Sequence, residues 1–324
     1  MGTHLLARIA SLAKRGSRWL VAACLAAGPL CASGATRTLA ARVLVISSDD
    51  ARPYREAIQG LREAFAGDPA GRELRVERAS ADPRQARAAL GEWLREGPSA
   101  VVTLGAVATR LVTAELAAPP LVACLVLSPE VVRDRPNATA VTLEFPIEQQ
   151  LDWVRRMLPD RTIVGVLFNP KENGERVASA RTAAAKLGLE LVTREVPTPE
   201  ELPVALKNFD QRAQLLLGIP DGVVLSPEAA KTLLLFSLQS RIPLVGPSES
   251  WVKAGALYAL ERDYVDLGRQ CGEQALAAGS FAASRAPAPS TPRKVLQSIN
   301  LQTMRSMKIE IPAALVEAAA SRYE

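Results

Sequence analysis

Short, unbroken β-branched runs alternate with longer amphipathic runs along this chain, and that alternation narrows the folds open to it more than any other feature. The run 42–46, Arg-Val-Leu-Val-Ile, is apolar at consecutive positions, which suits a strand buried on both faces. Ser47-Ser48-Asp49-Asp50 ends it, and Pro53 opens a helix with Ala57, Leu61 and Phe65 at helical spacing. A weaker strand follows at 74–76. Asp82-Pro83 caps and starts the next helix, which runs through Leu90 and Leu94. The run 100–104 reads as a buried strand, Gly105 turns it into a helix over 106–116, and 121–127 reads as another strand. Strand-then-helix units in this order predict a parallel sheet with right-handed crossovers.

The rhythm loosens over 128–145, where Pro136 and then Pro146 appear, and restarts with a helix from Pro146 to Leu158. A strand at 162–168 ends in Asn169-Pro170, and a helix to Leu187 follows. A strand at 189–192, a helix at 199–209 and a strand at 214–217 lead to Gly218-Ile-Pro-Asp221. Ser226-Pro227-Glu228 starts a further helix, and 243–245 is another strand. The stretch 281–294 is rich in Ala, Pro and Ser and reads as an exposed loop. One more strand at 295–301 and a helix from Pro312 close the chain. The fold class is α/β, with two doubly wound lobes. Ligands of open parallel sheets collect at the carboxyl ends of strands, so a cleft between the lobes is the expected site. The residues expected there are Ser47, Ser48, Gly105, Ala106, Ser128, Asn169, Asp221, Ser248 and Glu249. Asn169 offers a donor and an acceptor, and Asp221 a carboxylate for an ammonium group. Asn-Pro and Pro-Asp-Gly are also ordinary turn sequences, and Ser47 and Ser48 are ordinary helix caps.

The net charge of +5 belongs mainly to one segment. Arg8, Lys14, Arg15 and Arg18 precede the first acidic residue, Asp49, and leave the remainder close to neutral, without the footprint of a nucleic-acid binder. A basic start, an apolar run from Trp19 to Leu30 and the small residues Ser33 and Ala35 form a three-part export signal over 1–35. Val21-Ala-Ala-Cys24 also resembles a lipoprotein cleavage box. Periplasmic localisation follows, with lipidation at Cys24 as a lesser alternative.

The only histidine is His4, inside that signal, so the usual histidine-activated nucleophiles and most zinc sites are excluded. There is no Cys-x-x-Cys and no glycine-rich phosphate loop. No catalytic residue, metal or cofactor is expected. Asp49-Asp50 reads as an acidic turn rather than a cation site. Cys124 and Cys271 are either two buried small hydrophobes or a disulfide permitted by an oxidising compartment. Tyr54 is a candidate cleft wall, and Trp251 a hinge or core residue.

Several stretches resemble the tryptophan-binding type of ABC transporter substrate-binding proteins. The run 242–260, Ile-Pro-Leu-Val-Gly-Pro-Ser-Glu-Ser-Trp-Val-Lys-Ala-Gly-Ala-Leu-Tyr-Ala-Leu, followed by Asp263-Tyr-Val-Asp-Leu-Gly-Arg-Gln270, carries the likeness most specifically. Asn137-Ala-Thr, Phe168-Asn-Pro170, Ile219-Pro-Asp221 and the closing Ile309-Glu-Ile-Pro-Ala-Ala-Leu315 support it. The resemblance implies a type I periplasmic binding fold and an amino-acid-like ligand delivered to an inner-membrane permease by a monomeric protein. It also implies ligand contacts at Ser47, Ser48, Ala106, Asn169, Asp221 and Ser248, with Asp221 facing the ligand ammonium. One lobe is then 36–140 plus 257–283, and the other 141–256 plus 284–324. The chain departs from the family pattern at Ala106, at Ser128-Pro129, and at Glu261-Arg262. A sensor presenting its ligand to a membrane receptor, or a racemase-like enzyme with a reactive Cys124 or Cys271, are the alternative functions.

Overall fold

The computed structural model describes residues 42–115, 119–209, 211–281 and 285–324. The expected export signal, with His4, Cys24 and Cys31, lies outside the described residues. In order, the elements of the first half are β1 (Arg42–Ser47), α1 (Arg52–Ala66), β2 (Glu73–Arg78), α2 (Pro83–Arg95), β3 (Ala100–Leu104), α3 (Ala106–Thr113), β4 (Leu121–Val126) and β5 (Ala138–Thr142). The five strands form one parallel sheet in the order β2-β1-β3-β4-β5. Its continuous apolar runs are explained by burial on both faces. Val43 and Val45 enter one core with α1, whereas Leu44 and Ile46 enter a second core with α2 and α3. As expected, Asp82 caps α2, accepting from the Arg84 and Gln85 amides.

The second half continues with α4 (Ile147–Met157), β6 (Ile163–Phe168), α5 (Pro170–Lys186), β7 (Glu190–Glu195), α6 (Leu202–Lys207), β8 (Leu215–Leu217), α7 (Pro227–Ser240), β9 (Leu244–Gly246) and α8 (Glu249–Lys253). The last elements are β10 (Tyr258–Arg262), α9 (Tyr264–Ala277), β11 (Val295–Asn300), α10 (Leu301–Ser306), α11 (Ala313–Glu317) and β12 (Ser321–Tyr323). These strands build a seven-stranded sheet in the order β12-β11-β10-β9-β8-β6-β7, in which only the β10–β11 pair is antiparallel. Both of its faces are again buried: Val164, Val166 and Phe168 pack on one side of β6 and Leu167 on the other.

The chain passes between the sheets three times. The first passage is over 143–146. The loosened stretch 128–145 also hides β5, whose small residues Ala138, Thr139 and Ala140 are fully or nearly fully buried against β4. The return expected at residue 257 falls later in the structure. Residues Tyr258–Arg262 pair with β9 and β11 in the second sheet, and only α9 crosses back to pack on α1. Residues 285–292, placed by expectation with the second lobe, run beside β5 instead. The Ser290 amide donates to the Ala140 carbonyl at 2.9 Å and the Thr142 amide to the Ser290 carbonyl at 2.9 Å. Cys124 on β4 and Cys271 on α9 form a disulfide, with Cα atoms 6.5 Å apart and a separation of 147 residues in sequence.

Candidate ligand cleft

A cavity of about 280 Å³ lies where carboxyl ends of strands from the two sheets meet the chain passages between them. Leu127 and Ser128 reach it from the end of β4, Gly218 from the end of β8, and Gly246 and Pro247 from the end of β9. Glu144 and Phe145 reach it from the first passage, and Tyr258 and Arg262 from β10. On α5, Asn173 and Arg176 are three residues apart, so both lie on the face that meets the cavity.

Local backbone geometry aims the β4 end into this space. Leu125 has φ 54°, in the left-handed region, and the pairing register of β4 with β5 shifts between Cys124 and Val126. A bulge of this kind bends a strand and re-aims the residues beyond it. The residue turned in this way is Leu127, which is 71% exposed at the cavity rim. Arg262 spans two passages: its Nε donates to the Leu143 carbonyl at 2.5 Å and its guanidinium stacks 5.0 Å from the Phe145 ring centroid. Arg176 pairs through Nη2 with Glu144, joining α5 to the first passage.

Of the residues expected at strand ends, Ser128 lines this cavity; the six for which the resemblance implies ligand contacts fall into three groups outside its lining. Ser47, Ser48 and Ala106 gather at the carboxyl ends of β1 and β3. The Ser47 hydroxyl donates to the Asp49 carbonyl at 2.5 Å, and the Ser48 hydroxyl accepts the Ala108 amide at 2.9 Å. Gly105 starts α3 with φ 88°. A Cβ there would stand 2.8 Å from the Tyr54 hydroxyl and 2.9 Å from Ser48 Oγ, so only glycine lets the three come together. Ala106 itself is exposed.

Asn169 and Asp221 form the second group, at the ends of β6 and β8. Asn169 caps α5 by accepting the Lys171 amide at 3.1 Å and donates from Nδ2 to Glu172 at 3.0 Å. Asp221 is buried, and four N–H groups meet its carboxylate. Oδ2 accepts from the Asn169 amide at 2.6 Å and Asn173 Nδ2 at 2.8 Å, and Oδ1 from the Val223 and Val224 amides at 2.9 and 2.8 Å. The Val223 and Val224 amides are turn bonds, and the Asn169 and Asn173 donors tie the carboxylate to the start of α5. Replacing Asp221 by alanine leaves several buried donors without an acceptor and is expected to cost about 2–3 kcal/mol of stability in urea denaturation. A loss of solute binding with unchanged stability would instead make the carboxylate a direct ligand contact.

Ser248 belongs to a separate cavity between α1 and α8, where Arg52 and Glu56 face Ser248 and Glu249. Its hydroxyl pairs with that of Ser250 at 2.8 Å. Glu261 lines the same space, and burial pushes its carboxyl above the usual carboxylate range. Tyr54 and Trp251 are both partly buried and pack on their cores. Sequence reading missed Asn173, Arg176, Glu144 and Tyr258. The first two could have been found by following the helix face one and two turns onward from Asn169. Among the described residues, no cluster of three or more His, Cys, Asp or Glu is placed to hold a metal ion, and no helix is long and apolar enough to cross a membrane.

The sequence profile of ABC transporter substrate binding proteins matches residues 41–322. No curated protein sequence matches the chain. Among solved structures, a ligand-free, open substrate binding protein with adhesive properties from Clostridium difficile has a TM-score of 0.68 at 16% identity, over 88% of this chain and 99% of that one. An ABC domain from Streptococcus pneumonia in complex with L-Trp gives 0.55 at 17% identity, over 87% and 99%. A conserved domain protein from Vibrio cholerae gives 0.53 at 20% identity, with the same coverage.

Proposed function

The chain belongs to the ABC transporter substrate binding protein family, and from that premise we propose that it is the extracytoplasmic solute-binding component of an importer, taking a small amino-acid-like or related polar ligand between its lobes. Its two mostly parallel α/β sheets have the type I periplasmic binding fold. The family and its structural neighbours are binding proteins. The observation that carries the reading is the cavity built from strand ends of both sheets around the chain passages, because closure about those passages would enclose a solute there. Ser47, Ser48 and Ala106 would then meet the solute from the first lobe, and Ser248 from the second. Asn169 and Asp221 hold the frame that presents α5.

The Cys124–Cys271 disulfide supports a periplasmic location, since such bonds persist in oxidising compartments. An inner-membrane permease is the proposed partner, engaged by the closed monomer, and the near-neutral body supports no role with nucleic acid. A thermal-shift screen over amino acids, short peptides, purines and sugars tests the binding. A true solute at a hundred times its Kd is expected to add ~2.7 kcal/mol of stability. Stimulation of the permease's ATPase by the solute-loaded protein in proteoliposomes tests the import role. A hit in the screen with no stimulation favours a sensor instead.

A further inference from the structure

The cavity between α1 and α8 lies on the other face of β10 from the solute cavity. We infer that it is a second, separate binding site for a small primary ammonium compound without a carboxylate, received by Glu261 and Ser298.

Strand geometry separates the two cavities. Successive residues of a strand point to opposite faces of the sheet. Tyr258, Leu260 and Arg262 line the solute cavity, whereas Glu261 lines the second one, of about 540 Å³, and Arg262 alone borders both. Pairing with β11 sets Leu296 opposite Glu261 and Ser298 opposite Ala259. Glu261 and Ser298 are therefore diagonal neighbours on one face, about 7 Å apart. Ser321 of β12 stands beside Ser298 at the strand spacing of about 4.8 Å.

The charges around this cavity are engaged, with one exception. Arg52 Nε donates to Glu56 at 2.7 Å and Lys294 to Asp263 at 2.5 Å. Lys253 stands 3.5 Å from Glu249, which also accepts the Tyr323 hydroxyl. Arg262 is held by the Leu143 carbonyl and the Phe145 ring. Glu261 is partly exposed, has no ion-pair partner among the described residues, and its Oε1 finds no donor. Ser298 is 1% exposed, and its hydroxyl has no hydrogen-bond partner among the described residues. A half-buried, unpaired carboxylate and an idle hydroxyl beside it are costly, and an occupant that brings N–H donors removes that cost. An alkylammonium supplies the missing charge and three donors, enough for Glu261, Ser298 and Ser321. Leu296 and Ala320 seat its alkyl part. A carboxylate on the ligand would meet Glu56, Glu249 and Asp263. Among the described residues no three metal-ligating side chains come together, so the cavity suits an organic cation rather than a bare metal ion.

Calorimetric titration and thermal shift of the full exported chain test this with ethanolamine and butylamine, their neutral counterparts ethylene glycol and butanol, and β-alanine. The two amines are expected to bind. The alcohols and β-alanine are expected to bind about 30-fold more weakly. The isosteric Glu261→Gln should lose about 30-fold for both amines. Ser298→Ala should lose about 5-fold. Circular dichroism checks that both variants keep the fold. Amine affinity unchanged in Glu261→Gln, alcohols or β-alanine binding as well as the amines, or no amine binding at all each overturns the inference. Should Glu261→Gln fail to fold, an unchanged amine affinity in Ser298→Ala overturns it instead. None of these outcomes touches the solute-binding reading, which rests on the cavity across the sheet.

Discussion

Replacing Gly268 by alanine is expected to unfold the first lobe, at a cost of about 4 kcal/mol or more. Helices α1 and α9 meet backbone to backbone at two glycines. A Cβ on Gly268 would stand 2.0 Å from the Ala57 carbonyl oxygen and 2.7 Å from Ala57 Cα. One on Gly60 would stand 1.8 Å from the Val265 carbonyl oxygen and 2.7 Å from the Arg269 amide nitrogen. Main chain cannot swing away as a side chain would, so the helices must separate. Leu267, Cys271 and Ala275 of α9 are buried in the core that holds Val43, Val45 and Leu104, and separation would open that core to voids. Gly67→Ala is the matched control. Nothing lies within 4 Å of its added Cβ, and its effect should stay within about 0.5 kcal/mol. Guanidinium denaturation followed by far-UV circular dichroism reads both variants. A Gly268→Ala protein as stable as Gly67→Ala would mean that the helices do not pack this closely.

That contact also marks where sequence reading stops. The strands β1, β3, β4 and β6 were legible because burial on both faces leaves long apolar runs with few polar positions, such as Thr103 in β3. The helix starts at Asp82, Asn169 and Ser226 were legible because a side-chain oxygen ahead of Pro is a local signal with a local cause. The strand β5 was not, since Ala138, Thr139 and Ala140 owe their strand state to β4 beside them rather than to their own size or branching. The return of α9 to the first lobe came from family likeness, because periodicity says which face of a helix is buried but not against what. The strand β10 ahead of it stayed with the second sheet, a pairing set by β9 and β11.

The site divides along the same line. Placing it at the carboxyl ends of strands followed from the parallel sheets alone, and Asn169 and Asp221 do stand at such ends. What each side chain does there depends on partners distant in sequence. Asp221 accepts from Asn169 and Asn173, 52 and 48 residues away, and these amides absorb the carboxylate that the sequence reading offered to a ligand ammonium. Arg176 drew no notice because an arginine in the second turn of an amphipathic helix is ordinarily solvated. Its meaning comes from Glu144, in a passage between the sheets.

Reduction of the Cys124–Cys271 disulfide is expected to lower the stability of the first lobe by about 4–5 kcal/mol, and its melting temperature by roughly 8–15 °C. The bond closes a loop of 147 residues that holds the entire run from β5 through β10, including most of the second sheet. Without it, α9 must find α1 and β4 at the end of a long, separately folded excursion, and the unfolded chain gains the entropy of an open loop. Both sulfurs sit in fully buried residues, so the change acts on the chain's connectivity rather than on exposed surface. Thermal denaturation with and without a phosphine reductant measures the effect, and the Cys124→Ala/Cys271→Ala double variant should melt with the reduced protein. Oxidised protein lacking residues 1–35, and so Cys24 and Cys31, should show no thiol reactive to Ellman's reagent after unfolding. Two titratable thiols in that shortened protein purified from an oxidising compartment, or a melting temperature indifferent to reductant, would remove the bond from the account. The bond also reaches the cleft. Cys124 precedes the left-handed Leu125 and the register shift that turns Leu127 and Ser128 toward the cavity. Releasing β4 from α9 should therefore weaken solute binding even at temperatures where both lobes remain folded, and calorimetric titration of the reduced protein well below its melting point separates that effect from unfolding.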